Sequence, residues 1–117
     1  MGLEANYVVR ENVLIVRLEG EIDHHESIQL REQWQEYLQK NGIVHVVLNL
    51  AGVNFMDSSG IGVVLGRYKE VISKGGELVV CHVTPPVERL FKMAGIYKII
   101  RGEENEAHAL LSLGVAS

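Results

Sequence analysis

Two patterns of apolar residues alternate along this chain, and the clearest example of each lies near its centre. Residues 46–50 form a short apolar run rich in β-branched side chains, which predicts a largely buried strand. Over residues 61–72, apolar side chains recur at steps of three and four, which predicts an amphipathic helix. A short turn and the segment 56–60 connect the two, so Ser58 and Ser59 stand where a strand gives way to a helix.

The same patterns predict the remaining elements. Two β-rich runs separated by a polar pair indicate a hairpin, and Gly20 ends its second strand before a polar loop over residues 21–25. The hairpin strands are expected at residues 7–10 and 13–18, further strands at 78–83 and 98–101, and further helices at 27–40, 87–94 and 104–113. Alternating strands and helices imply a mainly parallel sheet with right-handed crossovers. The predicted fold class is α/β, with four or five strands, an antiparallel first strand and the order β-β-α-β-α-β-α-β-α.

Parallel strands bring their C-terminal ends to one edge of a sheet, where ligands and partners bind. Two loops are expected at that edge, residues 20–25 after the second strand and residues 51–60 after the third. If these strands are neighbours, Asp23 and Ser58 lie close together. The start of a helix carries partial positive charge and free N–H groups, so an exposed serine there is well placed to hold a phosphate.

Length and composition narrow the classes of protein. The 117 residues fit one domain, which we expect to span residues 1–117. The net charge is −4 and no basic cluster is present, so no nucleic-acid partner is expected. No apolar run approaches the ~20 residues that span a bilayer, and the N-terminal residues lack the features of a signal peptide. The single cysteine, Cys81, fits a reducing compartment and an apolar core position, so a cytoplasmic location is expected.

A small serine hydrolase is one hypothesis for this sheet edge. Its nucleophile would lie at the Ser58/Ser59 turn, and His24 or His25 would act as the base. The carboxylates available to orient that base are Asp23 and Asp57. However, the Gly-x-Ser-x-Gly motif is absent and both histidines precede the serines, unlike the order in α/β-hydrolases. The hydrolase therefore remains the alternative function.

Three glycines near the start of the central helix suggest other roles. Gly60, Gly62 and Gly66 do not form a phosphate-binding loop, since no Gly-Lys-Ser/Thr follows them. Gly62 and Gly66 share one helix face, and a glycine inside a helix costs ~1 kcal/mol relative to alanine. Either close helix packing or a flat docking face for a partner would explain this pair.

Two further chemistries at this edge are weaker hypotheses. Asp57 as a phosphate acceptor would need Mg²⁺ and additional carboxylates, and an N-capping role explains this residue more simply. Asp23, His24 and His25 would need a further strong ligand to hold a metal, so solvation or capping is expected instead. Neither a metal nor a cofactor is therefore expected.

The residues discussed so far match a known family. The segments 48–50 and 55–63, with the motif Asp-Ser-Ser-Gly, resemble the core of STAS domains of the anti-sigma factor antagonist type. The Asp-His-His sequence within residues 20–25, together with the tail 113–117, is similar to the sporulation branch of these antagonists in Bacillus-type bacteria. The resemblance covers the whole chain without a large insertion.

This resemblance implies a regulatory switch and not an enzyme. The unmodified protein would bind an anti-sigma factor that is also a serine kinase carrying ATP or ADP, and would thereby release a sigma factor for sporulation transcription. The kinase would phosphorylate Ser58, which ends binding, and a serine phosphatase would restore the unmodified form. The expected partner-binding residues are Gly20, Glu21, Asp23, His24, Asp57, Ser58, Ser59, Gly62, Gly66 and, at the rim, Arg67. Asp23 is the expected charged anchor for a partner Arg or Lys.

Overall fold

The computed structural model describes residues 2–116. The strands are β1 (Leu3–Arg10), β2 (Val13–Ile22), β3 (His45–Met56), β4 (Leu78–Cys81) and β5 (Arg101–Glu103). The helices are α1 (His24–Leu38), α2 (Ser58–Ser73), α3 (Pro85–Met93) and α4 (Glu106–Ser112), with a 3-10 helix at Ile96–Lys98. The strands lie in the order β1-β2-β3-β4-β5, with β1 antiparallel to β2 and every other pair parallel. This architecture confirms the predicted α/β fold and its element order.

Each face of the sheet carries its own hydrophobic core. Side chains such as Leu14, Val16 and Leu48 face α1, α2 and α3, where Trp34 and Phe91 are fully buried. The alternate residues of the same strands face α4 and the C-terminal segment: Val13, Ile15, Val47, Val79 and Cys81. Because the central strands are covered on both sides, they read as continuous apolar runs and not as alternating ones.

A polar cluster fastens α4 to the sheet. Arg17 on β2 donates two hydrogen bonds to the Glu106 carboxylate, from Nε at 3.0 Å and from Nη2 at 2.7 Å. Asn49 on β3 donates a third, from Nδ2 at 2.8 Å. Hydrogen bonding from Arg17 is the main reason why the pKa of Glu106 lies below its usual range.

The predicted loops at residues 20–25 and 51–60 are wrong, because strand and helix residues occupy almost all of both segments. β2 continues to Ile22 and β3 continues to Met56, and these two residues pair in register. The parallel ladder supplies backbone hydrogen bonds to these polar stretches, and Asp57 N–H still donates to the Ile22 carbonyl at 3.2 Å. As a result α1 begins at His24 and not at residue 27, and no loop separates β2 from α1.

Other boundaries also move from the predicted positions. The last strand lies at Arg101–Glu103 and not at 98–101, because Gly95 adopts a left-handed conformation and a 3-10 helix follows it. β1 begins at Leu3, four residues earlier than predicted. The other shifts are of about two residues: β4 ends at Cys81, α3 begins at Pro85 and α4 begins at Glu106. Such shifts are common where the ends of elements are defined by caps and pairing.

Candidate functional site

Two helix N-termini lie side by side at the C-terminal edge of the sheet. Since β2 and β3 are neighbours and end together, α1 and α2 start next to each other. Asp23 caps α1, and its Oδ1 accepts a hydrogen bond from Glu26 N–H at 2.8 Å. Asp57 caps α2 in the same way and accepts from Ser59 N–H at 2.8 Å. Both carboxylates satisfy free N–H groups and add negative charge at a positive helix end.

The two helix starts are joined by one side-chain contact. His24 Nδ1 lies 3.3 Å from Ser59 Oγ, within hydrogen-bond distance. Both residues occupy the first turn of their helices, so the contact spans the gap between α1 and α2. Ser59 is half-buried, whereas its neighbour Ser58 is exposed. The two serines therefore differ in accessibility, and Ser58 is the one that offers a free hydroxyl to solvent.

A groove runs between α1 and α2 from this point. It has a volume of about 300 Å³ and is lined by His24, Ser27, Ile28, Arg31, Ser59, Gly62 and Val63. Ile28 is 48% exposed and offers an apolar side chain in this groove. The groove thus combines an apolar floor with a cationic wall next to Ser58.

The glycines of α2 have different surroundings. A Cβ at Gly60 would lie 2.5 Å from Met56 Cγ and 3.0 Å from Ile22 Cγ2, so this glycine allows α2 to pack against the strand ends. A Cβ at Gly62 or Gly66 would meet no atom within 4 Å. Close packing inside the chain therefore does not explain Gly62 and Gly66. The other explanation, a flat docking face for a partner, stays a prediction.

Arg67 is not at the rim of an exposed surface, contrary to the prediction. It is only 5% exposed, and its Nε donates to Glu70 one turn further along α2. Among the described residues its Nη1 has no hydrogen-bond partner. The charge of arginine suggested a position at the rim, but both the aliphatic stem and the guanidinium group of Arg67 are buried, and Glu70 neutralises part of that charge.

The other expected partner-binding residues lie close to the site but not in a loop. Gly20 and Glu21 belong to β2, and Gly20 has a φ of +118° that favours glycine. Asp23 is both a surface carboxylate and the cap of α1, so its replacement by alanine affects the helix as well as any partner. Sequence reasoning missed Ile28 and Arg31 as groove residues, although an apolar residue outside the buried stripe of α1 was a usable signal.

The alternative chemistries find little support in this arrangement. The contact between His24 and Ser59 is a histidine–serine pair of the kind that the hydrolase hypothesis requires, but the carboxylates expected to orient the histidine, Asp23 and Asp57, cap the two helices instead. Among residues 2–116, no group of three or more His, Cys, Asp or Glu side chains is arranged to hold a metal ion. Asp57 has the capping role that the sequence indicated.

Comparison with known proteins identifies the class. Residues 4–109 match the model of the STAS domain family. The chain is 50% identical over 117 residues to an anti-sigma F factor antagonist of Paenibacillus polymyxa, a match that covers 100% of each chain. The chain therefore belongs to the STAS domain family and, within it, to the anti-sigma factor antagonists. These are regulatory proteins and not enzymes, so the hydrolase alternative is not retained.

Solved structures agree with this assignment. The anti-sigma factor antagonist SpoIIAA in its unphosphorylated form superimposes with a TM-score of 0.82 at 26% identity, covering 99% of this chain and 100% of that chain. The phosphorylated form of the Bacillus cell fate determinant SpoIIAA gives a TM-score of 0.73 at 26% identity, covering 95% and 98%. Both states of that relative therefore share the fold described above. Among the described residues of this chain, no helix is long and apolar enough to cross a membrane.

Proposed function

We propose that this chain is a phosphorylation-controlled antagonist of an anti-sigma factor, with Ser58 as the phosphorylated residue. The observation that carries the proposal is the exposed Ser58 hydroxyl at the capped N-terminus of α2, beside a groove with apolar and cationic walls. In its unmodified form the chain binds an anti-sigma factor and releases the sigma factor that activates sporulation transcription. The similarity to anti-sigma F factor antagonists supports this direction of control.

The proposed partner surface extends from the end of β2 to the third turn of α2. It comprises Gly20, Glu21, Asp23, His24, Asp57, Ser58, Ser59, Gly62 and Gly66. The open space over Gly62 and Gly66 supports close approach of a partner backbone. Asp23 remains the proposed charged anchor, because only one of its carboxylate oxygens is needed for the helix cap.

Phosphorylation at Ser58 would change this surface without changing the fold. A phosphate adds about −1.5 to −2 charges at pH 7 and three acceptor oxygens. The positive end of the α2 dipole offsets that charge inside the chain. The partner, in contrast, meets a larger and more negative group at the centre of its docking surface, so binding ends.

The proposed partners carry the chemistry that this chain lacks. The anti-sigma factor is also the serine kinase and holds the ATP or ADP, and a separate serine phosphatase removes the phosphate. Such partners imply a cytoplasmic location, which agrees with the buried free thiol of Cys81. The chain itself needs no cofactor for this role.

Mass spectrometry after incubation with the anti-sigma kinase and ATP tests the proposal. Fragmentation is expected to place a single phosphate on Ser58. Ser58→Ala should abolish the modification, while the neighbouring control Ser59→Ala should retain it. A phosphate found on Ser59, or undiminished modification of Ser58→Ala, contradicts the proposal.

A further inference from the structure

The two edges of the sheet are protected to very different degrees. β5 is three residues long and has Gly102 at its centre, and short edge strands resist pairing with other chains. β1 is eight residues long, pairs with β2 without a bulge, and contains no proline, glycine or lysine. Among residues 2–116, no strand pairs with the outer edge of β1. A long, regular strand of this kind can accept another strand.

We propose that a second copy of this chain adds to the outer edge of β1 as an antiparallel strand, about a two-fold axis at Tyr7. Such an axis makes an isologous interface, in which each contact occurs twice. Pairing across the axis has to keep each face of the sheet continuous. Even-numbered residues therefore pair with even-numbered residues, and odd-numbered with odd-numbered. The axis at Tyr7 places Glu4 opposite Arg10 and Ala5 opposite Val9.

Charge complementarity selects this register. Glu4 and Arg10 are both exposed and lie on the same face of β1. Directly opposed residues of opposite charge stabilise an antiparallel pair, and the symmetry gives two such pairs. A shift of the axis by one residue in either direction, the smallest that preserves the faces, leaves no pair between Glu4 and Arg10. The sequence around Tyr7 is therefore complementary to itself in only this arrangement.

The other face of β1 contributes apolar contacts to the proposed interface. Val9 is 48% exposed in the single chain, and Ala5 is half-buried. In the proposed pair, each Val9 lies beside Ala5 of the second copy, which removes apolar surface from water. α1 lies on this face, where Tyr37 stacks on Tyr7 at 4.4 Å between ring centroids, but it packs more extensively over β2 than over β1. The net charge of −4 on each copy opposes association, and we expect a weak dimer.

Sedimentation equilibrium of the full chain and three variants tests this inference. Glu4→Arg and Arg10→Glu each place like charges opposite each other, so each should raise the dissociation constant about tenfold. An equimolar mixture of the two variants should associate at least as well as the parent, because every pair across the heterodimer is then of opposite charge. The double variant Glu4→Arg/Arg10→Glu should likewise recover self-association.

Glu104→Arg serves as the control, since it changes the net charge as Glu4→Arg does but lies beyond β5 in an exposed position. Thermal unfolding of each variant confirms that the fold is intact. A parent chain that stays monomeric up to about 1 mM overturns the proposal, because a dissociation constant above that concentration is too weak for a specific interface. Self-association that is equal in the parent, Glu4→Arg and Arg10→Glu overturns it as well.

Discussion

Alanine substitutions at the three glycines of α2 should change stability in opposite directions. Gly60, Gly62 and Gly66 lie in one helix within two turns, so their intrinsic helix propensity is the same. Their surroundings differ, because only Gly60 is close to other side chains. The series therefore separates the effect of helix propensity from the effect of packing.

The expected magnitudes follow from these surroundings. Gly62→Ala and Gly66→Ala should each raise the free energy of unfolding by about 0.5–1 kcal/mol, because alanine restricts the unfolded chain and meets no atom within 4 Å. Gly60→Ala gains the same helix propensity but forces a Cβ to within 2.5 Å of Met56 Cγ. Overpacking of this kind costs about 1–3 kcal/mol, so the net effect should be a loss of about 1 kcal/mol.

Urea and thermal unfolding provide the assay. For a chain of this size, 1 kcal/mol corresponds to a shift in Tm of about 4 °C. Gly62→Ala and Gly66→Ala should unfold at higher temperature than the parent, and Gly60→Ala at lower temperature. If Gly62→Ala is destabilised, or if Gly60→Ala is stabilised, the described surroundings of α2 are wrong.

The same helix allows binding to be separated from stability. Gly62→Leu adds bulk to the proposed docking surface, and its Cβ would meet no atom of the chain within 4 Å. It should weaken binding to the anti-sigma kinase in titration calorimetry while leaving the folded state at least as stable as the parent. Binding equal to that of the parent would exclude Gly62 from the interface.

Three further predictions concern single side chains. Asp23→Ala should lower the free energy of unfolding by about 1 kcal/mol through loss of the α1 cap. Asp23→Asn should keep the cap and weaken only partner binding. Equal stability of the two variants in urea would refute the capping role. The pKa of Glu106 is lowered in the folded chain, so its ionised carboxylate adds to the free energy of unfolding at pH values above the unfolded pKa. That stabilisation is lost as the pH falls through the folded pKa. The stability difference between the parent and Glu106→Gln should therefore be largest at neutral pH and shrink in acid, and a constant difference in unfolding free energy would contradict this. Burial raises the pKa of Cys81 to about 12, so iodoacetamide at pH 8 should label it only after unfolding; rapid labelling of the native chain would show an exposed thiol.

The sequence was sufficient to predict the element order but not the ends of the strands. Periodicity located the central strand and α2, and residue type located the cap at Asp57. The polar residues after Leu18 and Leu50 suggested loops, yet β2 and β3 continue for several residues because each supplies the other with backbone hydrogen bonds. Strand pairing of that kind depends on residues far apart in sequence, so local sequence patterns do not predict it.

The candidate site was predictable to a similar extent. Adjacent strands were enough to bring Asp23 and Ser58 to the same edge, and the exposed position of Ser58 follows from its place at the start of α2. The burial of Arg67 was not predictable, since it depends on tertiary packing around α2 and not on the sequence near Arg67. The contact between His24 and Ser59 also needed the true start of α1, which is three residues earlier than the apolar pattern indicated.

The affinity of the unmodified and Ser58-phosphorylated chains for the anti-sigma kinase tests the central claim most directly. Titration calorimetry with both forms should show binding of the unmodified chain and a loss of at least about 100-fold on phosphorylation, since a clash of charge or shape in an interface costs several kcal/mol. Both forms should unfold at closely similar temperatures, because the helix start accommodates the phosphate. Equal affinity of the two forms would contradict the account.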